Sequence, residues 1–427
     1  MQSVTEDASS IRGVKAPDFG WVGTDARMIV AARALRGFAQ SAAAVLIAIY
    51  LGLRGFSLVE TGLLLTCGSA GASVSAAVIG LFGDAFGRRR TLLVLSGLMT
   101  LTGVTFAHSE TLLVLAAVAF LGSFSALAGS GGGMGTIEQA ILAIAAPGEK
   151  RTDVFALYSM LGMLAASLGA LAAGLPTILQ REAGASALQS LRVMFVGYAG
   201  LGLVIAAVYS RLSSRIELAA GQARWTNPLT LPSRRRIFTL AGLFAVDSFG
   251  TGLVVESLAS YWFFTRFGLS PAELGVVFFS SNVLAAVSLW VAARLARRIG
   301  LLNTMVFTHI PSSLFLVAMV FAPTAWIAVV FWLLRAFLSH MDVPTSQSYT
   351  MAVVGPEERT AMASAAMVSR SAGVALGPTV AAALWTAASA TVPFVVGAAV
   401  KIAYDLTLWR LFRTITPPEE TVIRQAR

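Results

Sequence analysis

The chain has 427 residues, of which 56% are hydrophobic and 12% charged, and its formal net charge is +10. So much apolar surface with so few charges excludes a single water-soluble core and places the chain in the membrane class. A bilayer core of about 30 Å takes roughly 20 apolar residues per helical crossing. Only helices and closed barrels satisfy the backbone in lipid, and apolar runs this long lack the two-residue alternation of barrel strands.

The expected class is therefore an all-α membrane protein with twelve transmembrane helices. Residues 1–32 form an N-terminal tail; its first 25 residues hold Asp, Ser, Gly and Pro without an apolar core, which predicts a disordered segment and not a signal peptide. Six apolar stretches follow at 33–53, 59–82, 91–108, 112–144, 153–175 and 191–211, making an N-terminal bundle over 33–211. A polar interval at 212–236 separates them from six more, at 237–262, 273–295, 302–322, 325–349, 360–386 and 391–412, a C-terminal bundle over 237–413. Residues 414–427 form a second tail.

Most arginines, among them Arg88 to Arg90, Arg211, Arg234 to Arg236, Arg297, Arg298 and Arg413, fall on one side of this pattern. The positive-inside rule puts that side, with both termini and the central loop, in the cytoplasm, so the chain is expected in the cell membrane. The basic excess thus reads as topology with a secondary attraction to anionic lipid, and not as nucleic-acid binding. The single cysteine, Cys67, excludes an internal disulfide and a thiolate metal cluster. His108, His309 and His340 are too scattered for a local metal site. Without a His-Glu-x-x-His or a phosphate-binding loop, neither a zinc protease nor an ATP-driven pump is written here, and no cofactor, metal or enzymatic turnover is expected.

Ionisable residues at membrane depth are costly and mark pathways or proton relays. Span one opens with Arg33, Arg36 and Gln40, which share a face within about 60°; Arg33 can snorkel to the surface. Glu138, near the basic end of span four, either closes against the basic loops or serves as an inner-gate carboxylate. Asp247 lies about 15 Å into span seven, beside Gly250 and Gly252, where a helix can unwind. Glu256, nine residues on, points to the opposite face of a straight helix. In span ten, Arg335, Ser339, Asp342, Ser346 and Tyr349 form one polar stripe, with Pro344 available to kink it. Arg370 sits ten residues into span eleven. Lys401 and Asp405 in span twelve are four apart and are expected to form a structural ion pair.

The six-and-six division invites a search for a repeat. A shift of 208 residues sets "PGEKRT" (147–152) on "GPEERT" (355–360), Gln139 on Gln347, and "SLGA" (167–170) on "ALGP" (375–378). Paired six-helix halves place a substrate site at the midplane between repeats and alternate access by rocking one half on the other.

Between spans two and three stands "GLFGDAFGRRR", Gly80 to Arg90. It resembles the loop between the second and third helices of the major facilitator superfamily: Gly80, Asp84, Gly87, Arg88, Arg89 and Arg90 fit every position of that pattern. A second copy, "AARLARRIG" (292–300), keeps Arg297, Arg298 and Gly300 without the acid. "ASLGALAAG" (166–174) resembles the family exporters' fifth-helix signature, with Ala170 where those have proline; the fuller form, "GVALGPTVAA" (373–382), lies in span eleven. Span four also lacks the arginine common in drug exporters. These departures weigh against proton-driven drug export.

The resemblance implies that helices one, four, seven and ten line a central cavity. Asp247, Arg335 and Arg370, with Arg36 and Gln40, then become cavity candidates, and Glu256 and Asp342 join them for substrate or proton coupling. Asp84 accepts helix N-terminal amides or pairs with Arg88 to hold helix ends closed, or else only fixes topology. The function implied is secondary active transport of a small organic solute by alternating access, coupled to protons, with a slight tilt toward anionic or zwitterionic substrates. A proton-driven exporter of drugs or cationic solutes is the alternative within transport; a non-transporting receptor or a lipid translocase on the same fold is the alternative of another class. The expected partners are membrane lipid, a small-molecule substrate and protons, with no nucleic acid, and the chain is expected to act as a monomer.

Overall fold

A computed structural model describes residues 23–122, 124, 132–145, 151–217, 232–355 and 358–414; within its helices, the side chains of residues 80–85, 143–145, 151–153, 156, 293, 344, 351–352, 359–361 and 363 lie outside the description. Among the described residues all regular structure is helical. Span one is α1 (Thr24–Leu53), span two α2 (Leu58–Phe86) and span three α3 (Arg88–His108). Span four is two helices, α4 (Leu112–Leu121) and α5 (Gly132–Ala145); span five is α6 (Arg151–Ala172), the short α7 (Leu175–Ala183) follows, and span six is α8 (Ala187–Ser210). In the second half, span seven is α9 (Arg234–Leu253) plus α10 (Glu256–Phe267), span eight α11 (Pro271–Ile299) and span nine α12 (Leu301–Val320). Span ten is α13 (Ala325–Ser339) plus α14 (Asp342–Ala352), span eleven α15 (Arg359–Ala387) and span twelve α16 (Val392–Phe412). Among the described residues ten helices are long and apolar enough to cross a membrane, and the shorter apolar α4 and α13 belong to spans four and ten.

Three differences from the sequence reading have local causes. Helix α1 begins at Thr24, inside the expected tail, because Asp25 in its first turn is held: its carboxylate accepts the Ser213 amide at 2.9 Å and the Ser213 hydroxyl at 2.6 Å. Spans seven and ten are broken, not continuous. Helix α9 stops at Leu253, just past Gly250 and Gly252, and α13 stops at Ser339, before Pro344. Span four divides between α4 and α5, so spans four and ten interrupt at corresponding places in the two halves. The predicted disorder of the N-terminal tail falls on residues 1–22, outside the described residues.

Three of the helices that start on the side opposite the termini carry reciprocal caps. Ser57 with Glu60, Ser186 with Gln189 and Ser270 with Glu273 each form a capping box, opening α2, α8 and α11. Outward-facing apolar side chains such as Val94, Leu203, Phe307 and Leu376 are exposed, as a lipid-facing surface requires.

Small residues knit each half. A Cβ on Gly169 would strike the Phe38 carbonyl of α1, and one on Gly377 would strike the Gly252 backbone of α9. The 208-residue shift superposes these two glycines, so the repeat does the same job twice: it docks the fifth helix of each half against the first at backbone distance.

The halves meet through α2 with α15, α6 with α11 and α1 with α10. Thr379 donates from its amide and hydroxyl to Thr66 Oγ1, at 3.2 and 2.8 Å, and the Ser260 hydroxyl donates to the Val45 carbonyl at 2.7 Å. Gly62 lies against Pro378 and Ala382, and Gly275 against Ala170 and Leu171. These contacts lie toward the side opposite the termini, which is therefore the closed side. On the terminal side the ties among the described residues stay within a half: Asp25 to Ser213, and Glu358 to the Ser233 amide at 2.8 Å. Hydrogen bonds from Ser233 hold the Glu358 carboxyl below the ordinary carboxylate range.

A disulfide across Thr66→Cys and Thr379→Cys, in a Cys67→Ser background, should lock this closure. Transport in reconstituted vesicles is expected to stop on oxidation and to return with reductant; undiminished flux through the oxidised protein would show that this seam does not open.

Candidate transport site

The C-terminal half carries a buried charge cluster centred on Asp247 of α9, which is 4% exposed. The Lys401 ammonium of α16 donates to Asp247 Oδ1 at 2.8 Å. It reaches so far because α9 and α16 pack closely at Gly250, where a Cβ would meet Lys401 Cγ at 3.0 Å and the Gly397 carbonyl at 3.2 Å. On the other side, Arg370 Nη1 of α15 lies 3.8 Å from Asp247 Oδ2. Its guanidinium sits 4.0 Å above the Phe244 ring and donates to the Ser346 hydroxyl at 3.3 Å. One carboxylate thus stands between two cations: Lys401 is enclosed, whereas the Arg370 side chain is 33% exposed.

This corrects the expected pair within span twelve. Lys401 binds Asp247, while Asp405 Oδ1 stands 3.2 Å from His309 Nδ1 on α12. Helix α16 packs against both α9 and α12, so two side chains one turn apart each meet a different helix. The scattered histidines gave no hint of this: local spacing cannot register a contact across 96 positions.

Other candidates do not join the cluster. Arg335 is 9% exposed and lies over the Trp332 face at 4.6 Å, with no carboxylate partner among the described residues. Asp342 opens α14 beyond the break and is buried. The polar stripe of span ten is therefore interrupted: Ser346 serves Arg370, whereas the Tyr349 hydroxyl donates to the Phe412 carbonyl. Glu256 begins α10 past the break in span seven; among the described residues its buried Oε1 has no hydrogen-bond partner, and no contact joins it to Asp247.

Arg36 and Gln40 require a larger correction, because they face the interior of the N-terminal half and not a cavity shared with Asp247. Arg36 Nη2 lies 2.5 Å from Glu138 Oε2. The Tyr158 hydroxyl donates to the same oxygen at 2.7 Å, and the Tyr209 hydroxyl to Oε1 at 2.5 Å. Glu138 is fully buried, so its partners are one arginine and two phenols of its own half and not the basic loops. Gln40 lines a small cavity with Arg36, Tyr198 and Gly132. The 60° face of span one is real, but it points inward because α1 is the most enclosed of the spans.

The charged loop is organised by a residue that sequence reasoning missed. Gly87, at φ +88°, turns the chain directly from α2 into α3. Glu217, just after span six, accepts the Arg88 amide at 2.8 Å and the Arg89 amide at 3.1 Å, a carboxylate on the positive end of α3. The Arg88 guanidinium donates to the Ile216 carbonyl, and that of Arg89 to the Ser210 carbonyl. Of the two contacts expected of Asp84, the amides at the start of α3 therefore belong to Glu217; the Asp84 side chain itself lies outside the description. Gly300, at φ +91°, makes the corresponding turn between α11 and α12, so the second copy of the loop keeps the backbone turn without the acid.

Two six-span halves, helices broken at matching places and a cationic cluster within one half define a multi-pass membrane transporter. The sequence profile of the Major Facilitator Superfamily matches residues 29–310 and 240–427, and the chain belongs to that family. It is 23% identical over 351 residues to an uncharacterized membrane protein of Saccharomyces cerevisiae, covering 75% of this chain and 78% of the relative. Among solved structures, the nucleoside transporter NupG superposes with a TM-score of 0.72 at 13% identity, covering 91% of this chain and 99% of that one. A peptide transporter in complex with sulfate gives 0.72 at 14%, covering 91% and 94%. An inward-facing bacterial homolog of the human lysosomal transporter Spinster gives 0.66 at 14%, covering 91% and 95%. At these identities the likeness shows the fold alone.

Proposed function

We propose that this protein is a secondary active transporter of the cell membrane, with both termini cytoplasmic and no enzymatic turnover, moving a small organic solute with an anionic or zwitterionic group by proton-coupled alternating access. The observation that carries the reading is Arg370, one-third exposed and 3.8 Å from an aspartate already held by Lys401. Two cations share one acid, so the exposed guanidinium has hydrogen-bonding capacity left for a carboxylate or phosphate of the solute. The closure through Thr66, Thr379 and Ser260 supplies one of the two states that alternating access needs.

A thermal-shift screen of the purified protein against dipeptides, nucleosides, organic acids and lipophilic cations tests the substrate class. Stabilisation by acids or zwitterions is expected. Stabilisation by lipophilic cations alone would reject it in favour of a cationic-solute exporter.

The loop of Gly80, Asp84, Gly87 and Arg88 to Arg90 serves as the latch on the terminal side. Only the first copy has an acid, so Asp84→Asn should slow transport more than Arg297→Gln does; equal rates in vesicles would contradict an asymmetric latch.

A further inference from the structure

Lys401 and Asp405 stand four residues apart on α16, close enough to pair within one helix turn, yet each engages another helix. Lys401 holds Asp247 at 2.8 Å and Asp405 holds the His309 imidazole at 3.2 Å. All four groups are almost fully enclosed, at 6%, 0%, 2% and 4% exposure for Lys401, Asp405, His309 and Asp247. Asp405 Oδ2 and the neighbouring Tyr404 hydroxyl have no hydrogen-bond partner among the described residues. The charged groups acting on the imidazole are Asp405 and Lys401 of α16 and Asp342 of α14, and Asp247 of α9 senses it as well. Arg370 of α15 completes the set through Asp247.

A buried charge in a membrane protein must be paired. With a protonated imidazole, Asp405 has a cation and Lys401 is left to Asp247. With a neutral imidazole, Asp405 has none, and the nearest movable cation is Lys401, whose flexible stem reaches one turn along its own helix. If Lys401 turns to Asp405, Asp247 keeps only Arg370, whose guanidinium is then drawn from the open space onto the aspartate.

We propose that Lys401 is a two-position switch between Asp247 and Asp405, thrown by a proton on His309, and that its position decides whether Arg370 is free to receive the solute's anionic group. The step is a single protonation: a proton from solvent adds to an imidazole nitrogen and leaves from it later, and no other bond changes. The switch rests on the proton-coupled reading above. It assigns the proton to His309 and makes Lys401 the positioning residue. The pair suggested by the sequence is then the second state, and the structure holds the first.

The chain has three histidines, His108, His309 and His340, and three lysines, Lys15, Lys150 and Lys401, so nuclear magnetic resonance of protein labelled in these two residue types resolves each site. His309→Gln and Lys401→Met assign the signals. The His309 imidazole signal is expected to shift with pH as the ring takes up its proton, and the Lys401 side-chain signal to shift with the same midpoint. In His309→Gln the Lys401 signal should no longer respond to pH, and Asp405→Asn should remove the response by taking away the second position. Both variants are nearly isosteric, and size-exclusion profiles check that they fold.

A Lys401 signal that stays fixed while His309 titrates overturns the switch, and so does one that still follows pH in His309→Gln. Neither result touches proton coupling itself. That reading falls separately, if a pH gradient across vesicles fails to drive accumulation of a solute that stabilises the wild-type protein.

Discussion

Replacing Glu138 by alanine is expected to cost about 3–5 kcal/mol of stability, the usual penalty for leaving one member of a buried ion pair without its partner. Arg36, 1% exposed, would keep its charge with no acid beside it among the described residues. Tyr158 and Tyr209 would lose their acceptor as well, at about 1–3 kcal/mol for each buried group left unsatisfied. Thermal unfolding in detergent and the yield of monodisperse protein measure the loss. The double variant Arg36→Met/Glu138→Leu should recover the ion-pair part of the loss, since an apolar pair of similar volume replaces a buried ion pair at little cost, and leave only the part that belongs to Tyr158 and Tyr209. A single variant as stable as wild type would mean that water reaches this network. The polar atoms bind α1, α5, α6 and α8 into one body, which a half must be if it is to rock as a unit.

The second large effect falls on transport. Asp247→Asn leaves Lys401 and Arg370 facing each other across a neutral amide, with no carboxylate between them. About 3–5 kcal/mol of lost pairing corresponds to more than a hundredfold, since about 1.4 kcal/mol is a factor of ten. Uptake driven by a pH gradient in vesicles should therefore fall by at least that factor, whereas Glu256→Gln, which breaks no ion pair, should retain most of it. The double variant Asp247→Asn/Lys401→Met should fold better than Asp247→Asn, because one of the two cations left facing each other is gone, yet still fail to transport. Unchanged gradient-driven uptake in Asp247→Asn would remove this cluster from the mechanism.

Much of the fold was legible because membrane physics acts on local composition. Runs of about 20 apolar residues have few alternatives to spanning helices. Depth was legible too: counting residues from a span's end placed Asp247 and Arg370 at similar levels, and they lie within 3.8 Å of each other. Partnership was not legible. The 100° step gives a side chain's direction on its own helix and says nothing of which neighbour lies there. Arg36, Gln40 and Arg335 were thus assigned to the wrong company, and His309 and Glu217 were passed over.

The two-half architecture, the charged loop and the list of costly buried ions follow from the chain alone, because hydropathy, helical rise and backbone freedom are properties of short segments. Which acid holds which base waited on packing. Lys401 is drawn to Asp247 and not to Asp405 because Gly250 and Gly397 let α9 and α16 approach at backbone distance, and Asp405 meets His309 because α12 lies against the same helix. Where helices cross is settled by many small contacts spread over the whole bundle, and no local pattern carries that sum.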